Sequence, residues 1–340
     1  MSIAYRIPRE KLSELVEVLM ENYLVYAPVE KAGNFILSDV EDPAEVTLEY
    51  IRTINSVDSI LLPPKEYLFK YRAGTMSFAG KLTAYIDVED YSEKREKPLC
   101  LFGIHPCEAH AIKYLDKVFS TEPKDPYYES KRRDMFIAVI LCDKGDENCF
   151  CIPFKTYIPP EDVDLVMSLD GDSIVLQPFS ERGKEVVLKL EASPTEAPEI
   201  NPPQRAKKID ISVFDSLTLE KVISGDISDL SEKCVLCQAC TAVCPTCYCF
   251  DLYDEPDPEE PGAFFRVRRR ATCHGLYYSW LAGGEVILED KESRFKWRIL
   301  HKFVFSKNMY GCYGCIGCGK CTAFCPAGID FIYLIERLQR

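Results

Sequence analysis

The run Cys234-x2-Cys237-x2-Cys240-x3-Cys244-Pro245 recurs as Cys315-x2-Cys318-x2-Cys321-x3-Cys325-Pro326. No other feature limits so tightly what the chain can fold into. Thiols this close are better placed to share a metal group than to pair off across a fold. Three of them on a tight loop can cap one face of a cubane, and the fourth, leaving on the next turn before proline, points elsewhere. The pattern therefore predicts two [4Fe–4S] clusters with exchanged fourth ligands. Cys234, Cys237, Cys240 and Cys325 would hold one, and Cys315, Cys318, Cys321 and Cys244 the other. Gly317 and Gly319 are expected to let the backbone come close to the sulfurs. Zinc is the competing use of such spacings, and repetition of the whole run weighs against it.

The chain has 17 cysteines in 340 residues. In a small secreted protein that would suggest disulfides, but this chain is large and its cysteines come in short runs. At the N-terminus Leu12, Leu15, Val16 and Leu19 recur at helical spacing with charged residues between them, which reads as a surface helix rather than a signal peptide. No run approaches a membrane span. The expectation is a soluble, cytoplasmic protein in a reducing compartment. A net charge of −13 with a pI near 5.0 argues against nucleic acid as a partner. Six Asn and four Gln among many charged residues suit a thermophile.

Cysteines are absent before Cys100, sparse to Cys151, and crowded from Cys234 to Cys325. The Pro- and charge-rich stretch 191–208 reads as a linker or surface excursion, and divides the chain into residues 1–205 and 206–340. The fold class expected is α+β, a mixed α/β domain followed by a mainly helical one. In the first half, strands over 98–104 and 135–141 flank a helix over 107–119, a βαβ unit, and a hairpin is expected around Asp170-Gly171. In the second half the clearest helices are 291–305 and 328–340, with few strand patterns.

The doubled cysteine run is the two-cluster ferredoxin pattern. Cys240, Cys244 and Cys247 also fit a C-x3-C-x2-C spacing used by radical enzymes that bind S-adenosylmethionine, but the ferredoxin pattern already needs most of these residues. Specific phrases extend the likeness: YAPV (26–29), ILLPPKEYLF (60–69), FGIHPCEAHAIKYLDKVF (102–119), ENCFC (147–151), CPTCYC (244–249), LAGG (281–284) and GCGKCTAFCPA (317–327). On these the chain resembles the iron–sulfur β subunit of cytoplasmic NiFe sulfhydrogenases and is similar to the dicluster iron–sulfur component of anaerobic sulfite reductase. The resemblance implies an electron-transfer subunit between a FAD- and NAD(P)H-binding reductase subunit and a catalytic subunit, NiFe hydrogenase or similar. It also implies that the second half is an α-helical ferredoxin-like dicluster domain.

Cys107 follows the first βαβ strand and Cys142 the second, so both lie at one edge of the sheet, where open α/β sheets place ligands. Cys149 and Cys151 come soon after. These four are candidates for a third [4Fe–4S] cluster, against the alternative of buried free thiols. The resemblance includes the same positions. Cys247, Cys249 and Cys273 also match the family pattern, and Cys312 does not. A further site from Cys247, Cys249, Cys273 and Cys312 competes with their packing around the clusters, and Cys100 reads as core. The basic runs FFRVRRR (264–270) and RFKWR (294–298) suit either docking of an acidic partner or a face with internal ion pairs. His105 and His274 lie near cysteines, where a hydrogen-bonding role is expected. No dinucleotide fingerprint or P-loop is found. An electron relay is one reading. The other is an enzyme that activates substrate at an irregular cluster with an open iron position.

Overall fold

The computed structural model describes residues 3–78, 81–91, 95–275 and 277–339. Its strands are β1 (Ala4–Pro8), β2 (Leu24–Lys31), β3 (Asn34–Asp39), β4 (Lys65–Phe78), β5 (Lys81–Asp90), β6 (Leu99–Ile104), β7 (Phe136–Ile140), β8 (Leu165–Asp170), β9 (Ser173–Pro178), β10 (Ser193–Thr195), β11 (Phe250–Pro256) and β12 (Ala263–Arg270). One mixed sheet has the order β10-β1-β9-β8-β7-β6-β2-β3, and a second, antiparallel sheet the order β11-β12-β4-β5.

The centre of the large sheet is parallel: β2 with β6, β6 with β7, and β7 with β8. Every residue of β6 and β7 is buried, which explains their unbroken apolar sequences. The helix Leu12–Met20 covers one face through Leu15, Val16 and Leu19. The helix Pro106–Phe119 packs its Ala111, Ile112 and Leu115 side on the other. It is the expected βαβ crossover, started by Pro106 in its first turn, where a missing N–H costs nothing. The predicted hairpin is β8–β9, with the turn one residue later than expected. Gly171, at φ +57°, opens a loop whose flanking partners are Asp170 and Ser173.

The C-terminal half gathers a core of its own around Phe214, Phe303, Phe331 and Ile335. The two halves exchange residues across their seam. Phe150 of the first half enters the second core, and Ile316 of the second half enters the core over the large sheet. The helix expected over 291–305 runs as an α-helix over Lys291–Ile299, widens into a π-helical stretch over Leu300–Phe305, and continues to Tyr310.

Two features differ from the sequence reading. The second half carries strands β11 and β12, and β12 pairs with β4, so the small sheet takes strands from both sides of position 205. Alternation on β12 is hidden in the sequence because arginines occupy both faces. Segment 191–208 is also no free linker. It supplies β10, and its backbone binds the cysteine loop: Gln204 N–H donates to Asp143 O (2.9 Å) and Lys207 N–H to Cys149 O (2.7 Å).

Candidate iron–sulfur centres

The two cysteine runs adopt the same backbone. Leu236 and Gln238 have φ of +53° and +66°, and their counterparts Gly317 and Gly319 have +71° and +73°. Each left-handed pair turns the loop so that successive cysteines face one side, before the short helices Ala239–Ala242 and Lys320–Ala323. The first run bears side chains at these positions, so left-handed backbone alone does not demand glycine. What demands it in the second run is the neighbouring chain. A Cβ on Gly317 would lie 2.6 Å from the Phe150 carbonyl carbon and 2.7 Å from Cys151 Cα, and one on Gly319 would lie 2.9 Å from Cys149 N. The glycines admit the 148–151 loop, which is a different reason from the approach to sulfur read in the sequence. Phe150 N–H then donates to Gly317 O (2.8 Å), and Thr156 Oγ1 to Ile316 O (2.6 Å).

Each fourth cysteine lies within electrostatic reach of the opposite run. Cys315, Cys318 and Cys321 each sense the charge of Cys244, and Cys234 senses Cys237 and Cys325. Burial is the main cause that pushes the Cys240 and Cys315 thiols up to about 12. Backbone N–H groups point at sulfur in the first set, Leu236 to Cys234 Sγ (3.3 Å) and Ile329 to Cys325 Sγ (3.4 Å). Such donors suit thiolates rather than thiols.

Cys107, Cys142, Cys149 and Cys151 line one pocket at the C-terminal edge of β6 and β7. Cys318 of the second run and Lys320 form part of its wall. Before Cys107, Gly103 at φ +67° breaks the β6–β7 register, and Tyr50 Oη donates to its carbonyl (2.8 Å). Tyr50 also stacks on His105, with ring centroids 4.3 Å apart. Arg52 pairs with Asp146 (2.5 Å) and reaches Cys149 Sγ (3.6 Å). Burial raises all four thiols, Cys142 and Cys151 to about 12, and the charges of neighbouring cysteines add to it at Cys107, Cys142 and Cys151.

This donor set fits iron. Four thiolates gathered in a half-buried pocket would repel one another, and iron bound between them removes that repulsion. Among the described residues no group of three or more Cys, His, Asp and Glu side chains is placed to hold a single metal ion. Cys107, Cys142, Cys149 and Cys151 line one cavity, and a cubane, which offers each thiolate its own iron, is a group such a ring of thiols could hold.

Cys247, Cys249 and Cys273 share another pocket, but Cys312 is not with them. It packs against the large-sheet core and lines a groove with Tyr114 and Tyr313. Cys100 is buried inside β6, as expected. His105 and His274 are both buried, and burial lowers them to about 4 and about 3.

Residues the sequence reading missed are the buried cations. Lys320 sits inside the second cysteine run. It donates to Glu108 Oε1 (2.9 Å), Ser56 Oγ (2.8 Å) and Asn55 O (2.8 Å), tying the run to the first half. Lys302 donates to Thr246 O (2.9 Å) and Oγ1 (2.7 Å), beside Cys244. Arg298 reaches Cys240 O (2.9 Å) and Cys247 Sγ (3.4 Å). The signal for Lys302 was its place in the apolar stripe of Phe295, Ile299 and Phe303. The basic run on β12 is mostly paired internally: Arg266 with Asp254, Arg268 with Glu66 and Asp125, and Arg270 with Asp58. In the 294–298 run, Arg294 and Arg298 turn inward.

Residues 233–329 match the family described as the 4Fe-4S dicluster domain. Beyond the dicluster domain, the whole chain is similar to "Sulfhydrogenase 2 subunit beta" of Pyrococcus furiosus. The two are 29% identical over 347 residues, covering 97% of this chain and 96% of the relative. No solved structure matches. Both findings agree with the doubled cysteine run, on a chain with a mixed α/β fold whose match to the dicluster family lies in its C-terminal part. No helix among the described residues is long and apolar enough to cross a membrane.

Proposed function

We propose that this chain is the electron-relay subunit of a sulfhydrogenase-type complex. It would stand between a flavin- and NAD(P)H-binding reductase subunit and a catalytic NiFe-type subunit. Residues 206–340 would carry two [4Fe–4S] clusters, on Cys234, Cys237, Cys240 and Cys325, and on Cys315, Cys318, Cys321 and Cys244. Residues 1–205 would carry a third, on Cys107, Cys142, Cys149 and Cys151. Bound there, the clusters supply one-electron carriers. The chain's own residues do the rest. They fix the thiolates on rigid loops, exclude water with Phe150, Ile316 and Phe303, and balance the negative charge with Lys302, Arg298 and Lys320.

The observation that carries this reading is Cys318. It belongs to the second cysteine run and also forms part of the wall of the first-half pocket. A relay needs its carriers adjacent, and this residue makes the two sites neighbours. The test is iron analysis of protein reconstituted without air, with spectroscopic redox titration. The expected content is about twelve irons from these three sites, and Cys142→Ser lowers it by about four while the dicluster signals persist. Unchanged iron in Cys142→Ser refutes the third cluster, and an unchanged dicluster signal in Cys318→Ala refutes the ligand assignment.

A further inference from the structure

A second pocket of thiols adjoins the end of the first cysteine run. After Cys244 the chain turns tightly, with Cys247 N–H donating to Cys244 O (3.1 Å), and then reaches Cys249. Cys249 stands at the base of the β11–β12 hairpin, where Ala271 N–H donates to its carbonyl (2.8 Å). That pairing closes a long excursion and brings Cys273, just beyond Ala271, back to Cys247 and Cys249. All three line one pocket. The helix 291–310 closes it with Arg298, His301 and Lys302, the last two on its π-helical stretch. Such widenings of a helix are common at functional sites.

The charge balance of this pocket is unusual. Arg298 and Lys302 are both nearly inaccessible, at 3% and 4% exposure. Their contacts are to carbonyls, a hydroxyl and a sulfur, and Arg298 Nε has no hydrogen-bond partner. Neither forms an ion pair with a carboxylate among the described residues. Burying two cations without an anion is costly. Cys244, given to the second cubane, offsets part of it. Cys240 and Cys321, also given to the two cubanes, lie against Arg298 as well, and Cys247 is the thiol outside those ligand sets that faces both cations. His301 Nε2 is held by Tyr248 Oη (2.9 Å), and its ring lines the same pocket as the sulfurs.

We propose that Cys247, Cys249 and Cys273 hold a fourth iron–sulfur cluster, with His301 in place of the fourth cysteine. Each thiol gives up its proton as it binds iron, and the resulting anion sits against Arg298 and Lys302. The site lies beside Cys244, which would make it a neighbour of the second cubane. An imidazole ligand raises the potential of an iron–sulfur centre relative to thiolate ligation, so this centre would sit at the oxidising end of the chain's carriers. The proposal rests on the relay reading only for the class of cofactor.

The test compares reconstituted wild-type chain with Cys249→Ser, Cys273→Ser, Cys312→Ser and Cys142→Ser by iron and acid-labile sulfide content. Wild type is expected to hold about sixteen irons. Cys249→Ser and Cys273→Ser each lose about four, and Cys312→Ser loses none. Cys142→Ser, run in parallel, reports the first-half site alone, so a shortfall there is distinguished from one here. His301→Ala keeps the iron count and shifts the spectrum and potential of one centre only. Equal iron in wild type and Cys273→Ser overturns the cluster, and a His301→Ala spectrum identical to wild type overturns the imidazole ligand. Should the serine variants fail to fold, the wild-type count decides, because about twelve irons or fewer excludes a fourth cluster.

Discussion

Gly317→Ala tests whether the dicluster domain and the first-half pocket are built as one unit. The added Cβ would sit 2.6 Å from the Phe150 carbonyl carbon and 2.7 Å from Cys151 Cα. Carbon atoms make comfortable contact from about 3.5 Å, so the 148–151 loop must withdraw by about 1 Å. Over-packing of this kind costs about 1–3 kcal/mol. Holding alanine in a left-handed conformation adds about 1–2 kcal/mol, and loss of the Phe150 N–H bond to Gly317 O adds about 1 kcal/mol. The expected destabilisation is about 3–6 kcal/mol, read by denaturant unfolding without air. The loop that moves carries Cys149 and Cys151, so the same variant should lose the first-half irons before the dicluster irons. Leu236, at the equivalent position with φ +53°, supplies the control. Leu236→Gly relieves the left-handed strain but gives up the contact of Leu236 with the C-terminal core, so it should leave the first-half irons in place while lowering stability less than Gly317→Ala. A Gly317→Ala protein with wild-type stability and full first-half iron would refute the close approach.

Lys302→Met removes a buried cation beside Cys244. It should lower the reduction potential of the centre on Cys315, Cys318, Cys321 and Cys244, seen by redox titration, because the reduced, more negative form loses the larger stabilisation. Cys318→Ala should remove that centre and destabilise the C-terminal half, since metal binding is part of its folding free energy; circular dichroism after anaerobic purification reports it. Iron loading of the first-half pocket should grow stronger as pH rises, because thiols held at about 12 at Cys142 and Cys151 must release protons to bind; iron titrations at two pH values measure this. The chain alone, free of flavin, should oxidise no NADPH, and steady NADPH consumption by the pure protein would reveal a nucleotide site.

Much of this architecture was legible because its signals are local. Cysteine spacing marks the cluster loops, and the apolar runs of β6 and β7 with the amphipathic 106–119 stretch mark the βαβ unit that brings Cys107 and Cys142 to one edge. What stayed hidden depends on distant pairing. Strand β12 contacts β4 across about two hundred residues of sequence, and its arginines find carboxylates on elements that periodicity cannot bring together. Gly317 reads the same whether it faces sulfur or the Phe150 carbonyl. Cys312 lies beside the second run in sequence, yet its side chain turns to the large-sheet core, and proximity along the chain was a poor guide to its neighbours.

On the proposed relay reading, the distribution of burial and charge would give electron transfer a direction in space. The first cysteine run is the open one. Cys237 is exposed, and Val235 beside it is 66% exposed. The second run is enclosed between the two halves, with Lys320 within it and Lys302 beside Cys244, while Arg298 donates to Cys240 O of the first run. Buried positive charge favours the reduced state of a neighbouring centre, while an exposed centre has its charge screened by water. Electrons would therefore be held most firmly in the interior and exchanged most readily at the Cys237 edge, where a partner can come close. Val235→Glu tests that edge. It places a charge on the exposed loop, away from every cation named above, so it should leave cluster content and potentials unchanged and slow electron exchange with the partner subunit. Unaltered exchange rates in the reconstituted complex would move the docking edge elsewhere.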